Sequence, residues 1–185
     1  IQMFKKILHN KFLKKEIVLL FFLYVTLLIS FQLGENSTGG AVLDYFNQKK
    51  ISEQFSLDFI NTLFNYDDFS TRHSPILIIL LSFFEKFYIS DFLIRIIHLH
   101  ICLLLPFFLF KCLEIKFTNM DKNIFLLFVS LIFLSPTFRS LSIWPDSRLL
   151  GLLIFTIGIF FYLKFLNQKK FHYALKNVFF VALSA

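Results

Sequence analysis

Apolar stretches long enough to cross a bilayer recur along this chain, separated by short charged segments. A crossing helix needs about 17–25 mostly apolar residues. Residues 17–33, 92–110 and 149–166 reach that length, 123–138 comes close, and 172–185 opens a fifth run. In hydrocarbon, a backbone must satisfy its own N–H and C=O groups, so such runs become helices. The expected fold is all-α, a polytopic transmembrane helical bundle. A soluble alternative fails on composition. Hydrophobic residues make up 57% of the chain, the mean hydropathy is +0.70, and Phe alone supplies 29 of 185 residues. Charged residues are 17%, against roughly 25% in soluble domains. Water would meet more apolar surface than a domain of this size can bury.

The net charge of +7 does not point to nucleic acid, because the basic residues lie in short stretches between the apolar runs, as topology-setting segments do. The first run has no small-x-small cleavage site after it, so a retained helix is expected. The last run is under way at Ala185, and the natural protein is expected to continue beyond it, with Met3 as its start. Cys102 and Cys112 form no CxxC pair and read as buried thiols.

Residues 75–89 decide the topology. Their apolar core, 76–84, is followed by Glu85 and Lys86 and covers about one third to one half of a crossing, so length alone does not decide whether it spans. Without a crossing there, twelve basic residues fall on the side of the N-terminus and seven on the other. With one, the division becomes nine against ten, and the charge bias vanishes. The positive-inside rule therefore puts the N-terminus in the cytoplasm and lays 75–89 along the outer surface as an interfacial helix. The expected order is a first span 17–33, an outer loop 34–91, a second span 92–110 and a third span 123–138. A second outer loop 139–148, a fourth span 149–166 and the start of a fifth at 172–185 complete it.

Chemistry-bearing residues collect in the two outer loops. The first loop holds Glu35 and Asp44, with Asp44 on the first turns of a surface helix beginning near Ala41. A partly desolvated carboxylate there can serve as a general base. Arg72 and His73 stand just before the interfacial helix; the histidine suits a metal, a phosphate or an ordinary loop. The second loop places Asp146 at the start of the fourth span, where a carboxylate complements the helix dipole. Arg139 and Arg148 flank it, and guanidinium groups grip phosphate well. Arg95 lies near enough to the outer end of its span to snorkel. No Gly-rich phosphate loop, nucleophile elbow or HExxH motif occurs.

This order of features resembles the GT-C class of polytopic glycosyltransferases, and within it the group that includes protein O-mannosyltransferases and lipid A aminoarabinose transferases. Asp44-Tyr45 is similar to the acidic first-loop motif, and His73-Ser74-Pro75-Ile76-Leu77 to an HPPL-like stretch. Phe92-Leu93-Ile94-Arg95 resembles the opening of the second span. Ser135-Pro136 followed by Trp144-Pro145-Asp146 resembles the second outer loop. The likeness covers nearly the whole chain but only the N-terminal part of such an enzyme. Leu43 stands where an adjacent acid pair is usual, and His-Ser-Pro replaces His-Pro-Pro, so the catalytic place is open between Glu35 and Asp44.

The resemblance implies a bacterial inner-membrane transferase. Its donor would be a lipid-linked sugar on polyprenyl phosphate, and its acceptor a lipid, a glycan or a protein. It implies Asp44 as base, and Asp146 in support, directly or through a divalent metal ion. Arg139, Arg148 and Arg72 would hold the departing phosphate, with His73 and Glu35 also against substrate. The competing classes are a multi-spanning transporter or flippase component, favoured only by Arg95, His98 and His100 within a span, and a membrane protein of structural or assembly role.

Overall fold

The computed structural model describes residues 18–37, 39–71 and 74–184, and every regular element among them is helical. The described residues open with α1 (Val18–Gln32). There follow α2 (Ala41–Leu57), α3 (Phe59–Phe64), a 3-10 turn at Tyr66–Phe69, and α4 (Ile76–Lys86). Then come α5 (Asp91–Cys102), α6 (Leu104–Lys116), α7 (Lys122–Leu134), α8 (Pro136–Ile143), α9 (Ser147–Gln168) and α10 (Phe171–Leu183).

Among the described residues, two helices are long and apolar enough to cross a membrane. One is α5 with α6, which run together as Asp91–Lys116, 26 residues; the other is α9, with 22. At 1.5 Å per residue these extend about 39 and about 33 Å, against a hydrocarbon layer of about 30 Å. Pro106 lacks the N–H that would reach Cys102, which accounts for the irregularity at Leu103 between α5 and α6. Ser90 starts the pair by accepting from the Leu93 amide.

The expected third span, 123–138, is divided. The α7 helix stops at Leu134 and α8 leaves it at 66°. Ser135 is extended (φ −68°, ψ 119°), its side chain accepts from the Phe138 amide, and Pro136 occupies the first turn of α8. A proline disfavours helix in the residue before it and tolerates the first turn after it, so Ser-Pro ends one helix and begins another. Much of the expected second outer loop, 139–148, is consequently helical. If the bent pair counts as one span, the candidates number three among the described residues.

The remaining helices are placed by the faces they bury. Ala41, Tyr45, Gln48, Ser52 and Phe55 are the buried positions of α2, at alternating spacings of four and three. That stripe is one face of a helix, and α2 packs on α4. The core gathers Leu27 of α1, Tyr45 of α2, Leu77 and Leu81 of α4, Ile94 and Leu99 of α5, and Ile143 at the end of α8. Large apolar side chains also face outward, among them Phe21 and Phe22 of α1, Leu127, Phe128 and Leu131 of α7, and Leu152 of α9. Antiparallel α9 and α10 approach closely at Gly158, whose carbonyl accepts from Asn177 at 3.0 Å.

Candidate functional site

Two ionic clusters join the segment after α1 to the segment around α8 and the start of α9. The first begins where α1 ends. The Gly34 amide bonds the Phe31 carbonyl and the Glu35 amide the Ser30 carbonyl, with Gly34 at φ +63°. This is a Schellman turn, which a residue without Cβ adopts readily. The turn delivers Glu35 to α8. Its carboxylate takes Arg139 Nε at 2.9 Å and Nη2 at 3.0 Å, a bidentate pair. Ser37 Oγ donates to the same carboxylate at 2.5 Å, while the Ser37 amide donates to Ser140 Oγ at 2.9 Å. The Arg139 hydrogen bonds hold the Glu35 carboxyl down at about 2. Glu35 is therefore a fixed anion, unsuited to proton uptake.

Trp144 closes this corner. Its Nε1 donates to the Glu35 carbonyl at 3.2 Å. Arg95 lies over its ring at 3.6 Å and over Phe31 at 4.7 Å, and its Nε donates to the Ile143 carbonyl at 3.2 Å. Arg95 thus joins α1, α5 and α8 through aromatic faces and a carbonyl, where snorkelling had been expected. An arginine inside an apolar run needs such partners, and that was its visible signal. The indole as its partner was not visible.

The second cluster is built on α9. Asp146 is the N-cap, accepting from the Arg148 amide at 2.8 Å. Its carboxylate also takes Arg148 Nε at 3.0 and 3.2 Å and Nη2 at 2.7 Å. The same Nη2 reaches Asp44 Oδ2 at 2.6 Å. Asp44 stands in the first turn of α2, as expected from the sequence. One guanidinium therefore ties two carboxylates of different exposure. The Asp146 side chain is 0% exposed, that of Asp44 34% and that of Arg148 53%. Asp146 shapes the cluster from beneath, and Asp44 is the acid that solvent and solutes can meet. Beside them, Ser147 Oγ donates to Gln48 Oε1 at 2.7 Å and adds a second link from α9 to α2.

A third network secures α2. Tyr45 donates to Asp91 at 2.9 Å, and Lys49 bonds Asp91 at 2.6 Å and Glu85 at 3.3 Å. Burial and the Asp91 carboxylate push the Tyr45 phenol up. Burial opposes the charge on Lys49, but its two acids outweigh that and raise it. The pairing is long-range in sequence and was not foreseen.

Of the expected site residues, Asp44, Asp146 and Arg148 come together. Glu35 and Arg139 form a separate pair. Arg72 and His73 lie outside the described residues. Arg139 and Arg148 do not make one open phosphate clamp, because each already holds carboxylate. The divalent ion weighed for Asp146 also fits poorly. Both Asp146 oxygens, and the Asp44 oxygen turned toward them, are bonded to a guanidinium. No group of three metal-ligating side chains occurs among the described residues.

A cavity of about 400 Å³ adjoins Arg148 between α6, α7, α8 and α9. Leu105, Leu109, Ile132, Phe138, Leu149 and Leu152 give it apolar walls; Ser135, Thr137, Thr156 and Arg148 are its polar lining. A second cavity, about 510 Å³, lies between α1, α6 and α7 with Lys111 in its lining and no acid. Arg148 is the charged side chain in the lining of the first. No protein-family model matches this sequence, and no curated protein or solved structure matches it either.

Proposed function

We propose that this chain belongs to a polytopic membrane glycosyltransferase of the GT-C type, transferring a sugar from a polyprenyl-phosphate donor to an acceptor on the outer side of the membrane. The observation that carries the reading is the position of Arg148. It lines an apolar cavity and simultaneously holds a partly exposed carboxylate, Asp44. The prenyl chain would lie along Leu105, Leu109 and Leu152, with its phosphate toward Arg148. The topology is the one argued from charge, with a cytoplasmic N-terminus and both ionic clusters outside.

In this mechanism, the acceptor hydroxyl oxygen attacks the anomeric carbon as the bond from that carbon to the phosphate oxygen breaks. The bonding pair leaves on the phosphate, and the hydroxyl proton passes to Asp44. Configuration at the anomeric carbon inverts. A phosphate at Arg148 competes with Asp44 for Nη2, and so loosens the carboxylate that must accept the proton. Asp146 stays beneath and keeps the guanidinium aimed. Glu35 and Arg139 brace the two segments and take no proton.

The test is transfer from a polyprenyl-phosphate sugar by the full-length protein, comparing wild type with Asp44→Asn. General-base assistance is worth about 10²–10⁴-fold, so the expected loss lies in that range. Undiminished transfer by a folded Asp44→Asn protein removes Asp44 from the mechanism. Cysteines introduced at Glu85 and Asp91 test the topology separately, because labelling from the cytoplasmic side would overturn it.

A further inference from the structure

The far end of α9 carries a further charged feature that the proposed transfer chemistry does not use. No Asp or Glu occurs from Ser147 to Ala185, whereas Lys164, Lys169, Lys170 and Lys176 all fall there. The α9–α10 turn brings them together. Lys164 on α9 lies 4.7 Å over Phe160 and 5.5 Å over Tyr173 of α10. Lys176 on α10 lies 5.2 Å over Phe161 of α9. The Phe161 and Tyr173 rings stack between them, 6.2 Å apart at 22°. Lys169 and Lys170 form the exposed turn, with Lys169 at φ 54° and the next residue, Phe171, 73% exposed. None of the four lysines has a carboxylate within ion-pair distance among the described residues.

We infer that the α9–α10 turn is a binding surface for the headgroups of anionic phospholipids, with the phosphates held by Lys164, Lys169, Lys170 and Lys176. Three observations select this partner. The lysines lie at or near the end of a helix about 33 Å long, the distance that separates one headgroup layer from the other. Exposed apolar side chains, Leu175, Val178 and Phe179, continue from them along α10, as acyl chains require and a soluble anion does not. Lysines from two helices flank one aromatic stack, so a phosphate meets several ammonium groups whose stems are already ordered against rings. Basic pockets between helices recognise lipid phosphates in this way. The inference rests on the proposed crossing by α9.

The experiment reconstitutes the full-length protein in nanodiscs of phosphatidylcholine mixed with phosphatidylglycerol and measures, by native mass spectrometry, which lipid stays bound. One lysine near an anionic surface is worth roughly a fivefold preference. The wild type is therefore expected to retain phosphatidylglycerol at least about tenfold over phosphatidylcholine. Changing all four lysines to Gln should abolish that preference, and changing the exposed Lys50 and Lys86 to Gln should leave it intact. Trp144 fluorescence reports that each variant is folded. Equal retention of the two lipids by wild type, or an unchanged preference in the fourfold variant, overturns the inference. Displacement of the lipid by excess inorganic phosphate also overturns it, since the site would then belong to a soluble anion. Labelling of Lys169→Cys and Thr137→Cys, both exposed positions, from opposite sides tests the crossing itself. Lipid preference and sugar transfer are read separately, so failure of either leaves the other standing.

Discussion

Removing Arg148 should cost more stability than removing Asp146, although the two residues bond mainly to each other. The reason is the difference in exposure, 53% against 0%. Arg148→Ala leaves the Asp146 carboxylate buried with only the amide of residue 148 to bond. Stripping the partner from a buried charge costs about 3–5 kcal/mol. The surviving amide and the start of α9 offset part of that, so about 3 kcal/mol is expected. Asp146→Ala loses the N-cap, about 1 kcal/mol. It also frees a guanidinium that water can reach, which adds less than about 1 kcal/mol. The gap is about 1–2 kcal/mol, or roughly tenfold in the folding equilibrium. Combining Asp146→Asn with Arg148→Ala removes the buried charge and keeps a cap, and it should be more stable than Arg148→Ala alone. Unfolding in mixed micelles of rising dodecyl sulfate fraction, followed by the fluorescence of the single tryptophan, measures all of these. Equal costs for the two Ala variants, or no recovery in the combined variant, would refute the argument from burial.

Other outcomes follow from the same contacts. Glu35 sits at about 2 when folded against an ordinary 4.5. Its contribution is complete above pH 4.5 and disappears as pH falls toward 2. Glu35→Gln should flatten the acid limb between those values, with Trp144 emission as the probe. Gly158→Ala places a Cβ 2.9 Å from Val181 Cγ2 and 3.4 Å from the Val181 amide nitrogen, and it should destabilise by about 1–3 kcal/mol. Adding Val181→Ala should recover part of that loss, and failure to do so would move the strain elsewhere. Gly34→Ala meets nothing nearer than Trp144 at 4.0 Å, so its expected cost, about 1 kcal/mol in the same unfolding assay, comes from φ alone.

The helical class and the two long apolar helices, Asp91–Lys116 and Ser147–Gln168, were legible because they depend on runs of one chemistry; the expected first span is a shorter helix among the described residues, Val18–Gln32. The places where runs stop were less so. Residues 123–138 read as one apolar stretch, yet the Ser135-Pro136 bond divides it, since a local backbone rule overrides hydropathy there. Asp44 and Asp146 were both visible as acids near helix starts. Their relation through Arg148 was not, because the 2.6 Å contact of Arg148 with Asp44, across 104 positions, depends on how α2 and α9 pack. For the same reason Glu35 could not be told from Asp44. Both are acids after the first apolar run, and only the partner, Arg139 for one and Arg148 for the other, separates a fixed anion from an accessible one.

In the proposed reaction, that separation also determines which acid can serve as the base. A general base must exchange its proton with a substrate, so it needs both access and a partner it can leave. Asp146 has neither. It is enclosed, and the amide and side chain of Arg148 bond it together. Glu35 is held by a bidentate arginine and a serine. Asp44 makes one ionic contact, through one oxygen, to a guanidinium that is itself half-exposed. An anion arriving at Arg148 can weaken that contact without disturbing the cap beneath it. The cluster is thus graded, rigid at Asp146 and yielding at Asp44, with Arg148 between them. A single substitution divides the two roles. Asp146→Asn keeps the cap but loosens the aim of Arg148, so under the proposed mechanism it should impair donor binding while Asp44→Asn impairs the transfer step. Equal effects of both on the same kinetic parameter would contradict that division.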